Sequence, residues 1–240
     1  LEALKDKDSM LTLTGEARIG YLHRGNVSGI DRESGLVVIK PSGVSYDEMK
    51  AEDMVVVNLD GKSWKEVKPL QTRDPPGSYK AFPEIGGVVH THSTYATAGH
   101  KPDVTYRISG LHMPITSTTP YPAQQDMTKE EVEGGNELET ENVIVKRFEA
   151  EPGTYSRSIG KEHGPFSWGK DAHEAVHNAV VMEQVAKMAS IAYAVNPNLT
   201  MNPLLIEKHF SRKHGPNAYY GQKNYHSLNI NYKNKSYERI

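Results

Sequence analysis

The sequence lacks cysteine altogether. Disulfides, iron–sulfur clusters, thiolate zinc sites and a cysteine nucleophile are therefore excluded. Any transition metal must be held by histidine, aspartate, glutamate or water. The chain also has no large excess of one charge, because it contains 28 Lys and Arg and 30 Asp and Glu, which gives a net charge of -2. This balance gives no electrostatic reason to expect a nucleic-acid partner.

Long hydrophobic runs are also absent, since no apolar stretch approaches the roughly 18 to 20 residues of a membrane span. No charged and then apolar signal peptide opens the chain. We therefore expect a cytoplasmic protein with no membrane partner. The 240 residues suffice for one large or two small domains with a sizeable core.

Strand and helix patterns alternate along the chain. β-Branched runs predict strands in LVVIKPSGV (36–44), DMVVVNLDGK (53–62), GGVVHTHS (86–93) and ENVIVKRF (141–148). A capping pattern, Asp171 followed by Glu174, predicts a helix that runs to about residue 194 and stops at Asn196-Pro197. PLLIEKHFSRKHG (203–215) predicts a second helix. Interleaved strands and helices indicate an α/β domain.

The segment GGVVHTHS places two histidines one residue apart at the end of its predicted strand. Side chains alternate between the faces of a strand, so His90 and His92 are expected to point the same way and Thr91 the opposite way. Such a pair is either a metal pair or two hydrogen-bonded polar residues beside a loop, and spacing leaves both open.

A second histidine pair lies on the predicted long helix, where His173 and His177 stand at positions i and i+4. Zinc could bind there. The better interpretation is an ordinary exposed pair, because His173 falls in the first turn and neither residue belongs to a Glu-bearing HExxH motif.

Several other segments carry residues that could bind a metal, donate a proton or bind a phosphate. Asp74 in QTRDPPG and His163 in EHGPFSWG, which is expected to be a loop bounded by glycine and proline, would together with His90 and His92 suit a divalent ion such as zinc. Tyr219 or Tyr220 could donate a proton or simply pack. Two turn-like segments, HRGNVSGIDRESG and KPSG, could cradle a phosphate or be plain turns. Their candidate groups come from Gly25, Asn26, Ser28, Lys40, Ser42 and Gly43.

Taken together, these blocks resemble the sugar-phosphate epimerases and aldolases of the class II aldolase/adducin-like superfamily, from about residue 23 to 222. The combination of HTHS, HGPF and KHGPNAYYGQ is specific. The resemblance implies an α/β fold with three layers, a central mostly antiparallel sheet with helices on both faces. That domain would cover 1–222, and the polar tail 223–240 is expected to be loosely ordered. The resemblance also implies a homotetramer with active sites at subunit interfaces.

The resemblance further implies roles for individual residues. It implies zinc, with Mn²⁺ or Co²⁺ as alternatives, bound by His90, His92 and His163, and Asp74 at or near the metal. Tyr220 matches a catalytic tyrosine that reaches in from a neighbouring subunit, and His209 and Glu137 fall near the site. Substrate phosphate would be held by Asn26, Lys40, Ser42 and Gly43, and by Thr72 and Arg73, which replace two phosphate-binding serines.

The activity implied is epimerisation of a small sugar phosphate, L-ribulose 5-phosphate to D-xylulose 5-phosphate, a step of arabinose catabolism. The hydrogen on C4 is not acidic, so inversion proceeds by retro-aldol cleavage of the C3–C4 bond and aldol re-formation. An aldolase that releases dihydroxyacetone phosphate and a non-enzymatic adducin-like scaffold are the alternatives. Retention of all three histidines argues against the scaffold.

Three segments depart from the superfamily pattern, and the first is QTRDPPGSYKAF with the Thr72 and Arg73 replacements. An acid/base aspartate is expected in a loop reading Thr-Thr-His-Ala-Asp-Tyr, but here Thr118 and Thr119 run straight into Pro120. Neither Asp103 nor Asp126 stands in that context, so the role is assigned to no residue. The usual long first helix is also missing from residues 5–24. A zinc-binding but catalytically impaired variant is therefore a further hypothesis.

Overall fold

A computed structural model of the chain describes residues 25–41, 44–45, 49–63, 76–98, 145, 157–159, 164–200, 202–214, 216 and 218. Its strands are β1 (Asn26–Asp31), β2 (Leu36–Ile39), β3 (Val55–Asn58), β4 (Gly87–His90), β5 (Arg157–Ile159) and β6 (Pro165–Gly169). Its helices are α1 (Pro76–Ala81), α2 (Thr94–Ala98), α3 (Ala172–Val195) and α4 (Pro203–His214). A 3₁₀ turn covers Ala51–Asp53.

Within the described residues the strands form one sheet in the order β3-β2-β1-β4-β6-β5. Every neighbouring pair runs antiparallel. Strand β4 therefore lies inside the sheet, between β1 and β6, and all its residues are buried. A side chain at the end of β4 is held by a strand on either side.

Helices cover both faces of the sheet. Val88 and Val89 are neighbours on β4, yet they belong to different hydrophobic clusters because a strand alternates its faces. The cluster on the α1 side comprises Ile30, Val37, Val57, Tyr79, Phe82, Ile85, Val88 and Phe166. The cluster on the α3 side comprises Val27, Val89, Ala172, Ala175, Val176 and Ala179. This arrangement confirms the three-layer α/β/α fold with an antiparallel sheet.

The long helix α3 begins at its predicted cap. The Asp171 carboxylate accepts a hydrogen bond from Glu174 N at 2.7 Å, and Glu174 in turn accepts from Lys170 N at 2.8 Å. The start of α3 lies very close to β4, because a Cβ on Gly87 would stand 2.4 Å from Ala172 Cα. Only glycine allows this contact between backbones. Among the described helices, none is long and apolar enough to cross a membrane.

The sequence patterns predicted some elements and missed others. Strands β2, β3 and β4 and helices α3 and α4 lie where they were expected. The strand predicted over 141–148 is wrong at Val145, the one residue of that segment that the structure describes, because Val145 is helical. The predicted tail 223–240 and the domain boundary at 222 lie outside the described residues.

Two segments whose sequences predict turns or loops contain strands. HRGNVSGIDRESG contains β1, whose Ser28 is buried, and the Ser28 hydroxyl is satisfied by a 2.9 Å hydrogen bond with the Tyr79 hydroxyl. EHGPFSWG contains β6, which begins at Pro165. Proline is tolerated as the first residue of a strand, so it did not mark a loop here.

Candidate metal centre

One end of the sheet gathers four of the predicted site residues. His90 ends β4, and its register partners are Asn26 on β1 and Phe166 on β6. Lys40 directly follows β2, and its N–H donates to Val27 O at 3.1 Å. His92 lies two residues beyond β4. Because directly opposed residues share a face of the sheet, Asn26 is on the same face as His90.

The His90 ring is held on two sides. It is 5% exposed and stacks on Phe166, with ring centroids 4.2 Å apart and planes inclined by 22°. Its Nδ1 lies 3.1 Å from Pro165 O. A carbonyl oxygen can only accept, so Nδ1 carries the proton and donates. In the neutral ring, Nε2 is then left with a lone pair.

The half-buried ring of His92 places its own Nε2 next to the Nε2 of His90. The two Nε2 atoms are 3.1 Å apart, and the rings are inclined by 70° with centroids 4.9 Å apart. Two nitrogens about 2.0 to 2.1 Å from a tetrahedral zinc ion are separated by about 3.3 Å. The observed separation is within about 0.3 Å of that value, so the two imidazoles fit a zinc ion as neighbouring ligands.

Glycines let the backbone close around this pair. Gly25 has φ +96°, and a Cβ there would stand 2.5 Å from His90 O. A Cβ on Gly164 would stand 2.5 Å from Thr91 O and 3.1 Å from His90 Cε1. Sequence reasoning missed Gly164, Pro165 and Phe166 as supports of the site. The signal was present in the motif HGPF, whose last three residues all face His90 or its neighbour.

Lys40 is buried at the same end of the sheet, with only 3% of its surface exposed. Its Nζ donates to Pro41 O at 3.1 Å and to Val44 O at 2.7 Å. Burial lowers the pKa of Lys40 below its ordinary value, because desolvation penalises the ammonium. The cation thus fastens both ends of the segment that contains Ser42 and Gly43 in sequence.

Most of the remaining candidates lie outside the described residues: Ser42, Gly43, Thr72, Arg73, Asp74, Glu137, His163 and Tyr220. In the part of the chain that is described, no three acidic or histidine side chains form a metal-binding group. His209 is half-buried on α4, and its Nδ1 has no hydrogen-bond partner among the described residues. His173 and His177 are both exposed, as expected.

Fold and site together define a three-layer α/β domain with an imidazole pair at the end of an inner strand. The family described as "Class II Aldolase and Adducin N-terminal domain" matches residues 13–190. The chain belongs to this family. Class II aldolase family members are typically metal-dependent lyases or epimerases.

Solved structures of several aldolase-like proteins share this fold. An L-fuculose 1-phosphate aldolase is 18% identical, with a TM-score of 0.70 over 86% of this chain and 94% of that chain. The L-fuculose 1-phosphate aldolase from Glaciozyma antarctica PI12 is 17% identical, with a TM-score of 0.68 over 88% and 81%. YgbL from Klebsiella pneumoniae, a putative aldolase/epimerase/decarboxylase, is 18% identical, with a TM-score of 0.65 over 86% and 97%.

Proposed function

We propose that this chain is a zinc-dependent L-ribulose-5-phosphate 4-epimerase, which converts L-ribulose 5-phosphate to D-xylulose 5-phosphate in arabinose catabolism. The observation that carries the proposal is the 3.1 Å separation of the His90 and His92 Nε2 atoms, with the His90 tautomer held by Pro165 O. A hydrogen bond between the two Nε2 atoms would have the same length, so measured metal binding, and not the distance alone, separates a metal pair from two hydrogen-bonded imidazoles.

Four residues would hold the metal in this proposal: His90, His92, His163 and Asp74. Gly164, which packs against His90 and Thr91, directly follows His163 in the sequence. That contact supports His163 as the third imidazole. Mn²⁺ or Co²⁺ would suit the same nitrogen and oxygen ligands. When bound, a divalent ion supplies Lewis-acid stabilisation for the negative charge that carbon–carbon cleavage leaves on substrate oxygens.

The substrate phosphate would be held beside this pair. Asn26 shares a register position and a face with His90, and Lys40 organises the Pro41–Val44 segment through two carbonyls. Backbone N–H groups of such a segment can bind a phosphate. We assign phosphate contacts to Asn26, Lys40, Ser42, Gly43, Thr72 and Arg73. A phosphate held there keeps the two-carbon fragment from leaving while the bond is broken.

The reaction follows from the low acidity of the C4 hydrogen. The C4 hydroxyl loses its proton as the C3–C4 bond breaks, which gives glycolaldehyde phosphate and the enediolate of dihydroxyacetone. The aldehyde rotates, the enediolate attacks its other face, and the C4 oxygen is protonated again. Tyr220 of a neighbouring subunit in a homotetramer would move this proton, with His209, Glu137 and Asp74 near the reacting atoms.

A second candidate is a class II sugar-phosphate aldolase of the fuculose-phosphate type. Two of the three similar structures described above carry that name. The ending KHGPNAYYGQ supports the epimerase instead, through its resemblance to the epimerases. The same histidines would serve either reaction, so the metal centre does not discriminate between them.

The test is turnover of L-ribulose 5-phosphate by the purified chain, with L-fuculose 1-phosphate assayed in parallel. The proposal expects D-xylulose 5-phosphate, loss of turnover with a chelator and recovery with zinc. His177→Ala is the matched control, since that exposed histidine should leave turnover intact, whereas His92→Ala should abolish it.

Each of the other outcomes would favour a different function. Cleavage of L-fuculose 1-phosphate alone would favour the aldolase. Zinc binding without turnover of either substrate would favour an impaired variant that suffers from the missing aspartate loop. Absence of metal binding would leave the adducin-like scaffold. Sedimentation of the same preparation tests the proposed homotetramer.

A further inference from the structure

A carboxylate from α3 holds the start of the helix that follows the histidine pair. Glu183 accepts two backbone hydrogen bonds, from Tyr95 N to Oε1 and from Ala96 N to Oε2, both at 2.9 Å. These N–H groups belong to the second and third residues of α2, the positions that an N-cap side chain ordinarily satisfies. The cap of α2 is therefore provided by Glu183, which is 88 positions from Tyr95 and 87 from Ala96 in the sequence.

Helix α2 depends on α3 for its position. It has five residues, and a helix that short is not stable alone in water. Ala96 is fully buried in a cluster with residues of α3, namely Met182, Val185, Ala186 and Ala189. Lys187, one turn after Glu183, places its Nζ 5.7 Å from the centre of the Tyr95 ring. Glu183 is the group that binds the α2 backbone itself.

The segment that carries His92 is consequently fixed at both ends. Before it, Thr91 N donates to Pro165 O at 3.1 Å, which ties the chain to β6. After it, Tyr95 N donates to Glu183. Only three residues separate Thr91 from Tyr95, so the two anchors together set where the His92 ring stands relative to His90.

From this geometry we infer that Glu183 is a positioning residue of the metal centre, acting through α2 on the His92 ring. The inference rests on the proposed zinc site. A carboxylate suits the role because hydrogen bonds to a charged acceptor are stronger than neutral ones, and its two oxygens accept both N–H groups. A glutamine of the same shape has one acceptor oxygen and would turn its NH₂ group toward the second N–H.

The test compares Glu183→Gln with the wild-type chain in two measurements made well below the melting temperature. Zinc affinity is measured by chelator competition, and we expect it to fall by about tenfold or more, as for other groups that orient metal ligands. The visible absorption spectrum of the Co²⁺-loaded chain is expected to change shape, because it reports ligand geometry at the metal. Loss of a merely structural contact would leave that spectrum unchanged.

Glu207→Gln is the matched control. It makes the same chemical change in a glutamate of α4 that accepts from the Ser211 hydroxyl. We expect its zinc affinity to stay within twofold of the wild type and its Co²⁺ spectrum to be unchanged. If Glu183→Gln does not yield folded protein, Glu183→Asp, which keeps the charge but withdraws it by one methylene, takes its place under the same criteria.

The outcomes separate this inference from the proposed function. A loss of affinity of fivefold or more together with a changed Co²⁺ spectrum supports the positioning role. A smaller loss, or an unchanged spectrum, overturns it while the zinc site stands. A wild-type chain that binds no zinc overturns both.

Discussion

The two histidine pairs of this chain differ in surroundings far more than in spacing. Each pair has the separation that puts two imidazoles on one side of its element. At the end of β4, however, His90 is packed against Phe166 and its tautomer is held by Pro165 O. On α3, His173 and His177 are both exposed. Spacing permits a metal site in either place, whereas support from other elements distinguishes them.

Helix α3 shows why its own histidines are left in solvent. Ala172, Ala175, Val176 and Ala179 pack in the cluster that faces β4, at the spacing of one helix face. His173 and His177 fall between these positions and therefore point away from the sheet. Their side chains keep the rotamer freedom that a metal site must remove at a cost in entropy.

The largest expected difference between the pairs is in zinc binding. His92→Ala should weaken zinc affinity by more than about 100-fold, because even outer groups that orient a ligand are worth about 10 to 100-fold. His177→Ala should leave affinity within twofold. Metal content after dialysis and chelator competition measure both. Equal losses in the two variants would mean that the helix pair also binds the metal.

The next effect concerns the contact that joins the two regions, where α3 meets the start of β4. Gly87→Ala should lower the free energy of unfolding by about 2 to 3 kcal/mol, because its Cβ would meet backbone atoms of Ala172 that cannot yield. Gly35→Ala is the comparison. It has φ +67° and open space around it, so only backbone strain of about 1 kcal/mol is expected.

Urea denaturation of the Gly87 and Gly35 variants measures both losses. Similar losses would contradict the view that the close approach of α3 to β4 sets the requirement for glycine at residue 87.

A smaller effect is expected at the cap of α3. Asp171→Ala should cost about 1 kcal/mol of stability, because Glu174 N loses its acceptor. Asp171→Asn should restore most of this, since asparagine caps helices as well as aspartate does. Zinc affinity should not change in either variant, because this end of α3 lies at the opposite end of β4 from His90. A change in metal affinity would contradict that separation.

The smallest effect is a pH dependence at Lys40. Burial lowers the pKa of Lys40 from its ordinary 10.5, so folding disfavours the protonated form. Below the folded pKa this penalty is complete, and it disappears as pH rises toward 10.5. Relative to Lys40→Met, the wild type should therefore gain stability as pH rises from neutral toward 10.5. Denaturation of both proteins across that range measures the difference, and a flat or falling difference would contradict it.

The sequence was informative wherever a structure depends on neighbours in the chain. The cap at Asp171, the stop at Asn196-Pro197 and the β-branched run before His90 each predicted an element that the structure contains. Strands β1 and β6 were missed for the opposite reason. β1 contains Ser28 and Gly29, and β6 follows Gly164, begins with Pro165 and ends with Gly169, so neither has a hydrophobic pattern of its own. Both become strands because β4 pairs with them.

The candidate site likewise has features that follow from the sequence and features that depend on contacts between distant residues. The absence of cysteine and the HTHS motif already limited a metal to histidine and carboxylate ligands at the end of one strand. The tautomer of His90 depends on Pro165, 75 positions away, and the anchor of α2 depends on Glu183, 88 positions from Tyr95. Contacts within a turn or a strand follow from adjacent residues. Contacts at such separations exist only after the chain has folded and buried β4 between its neighbours.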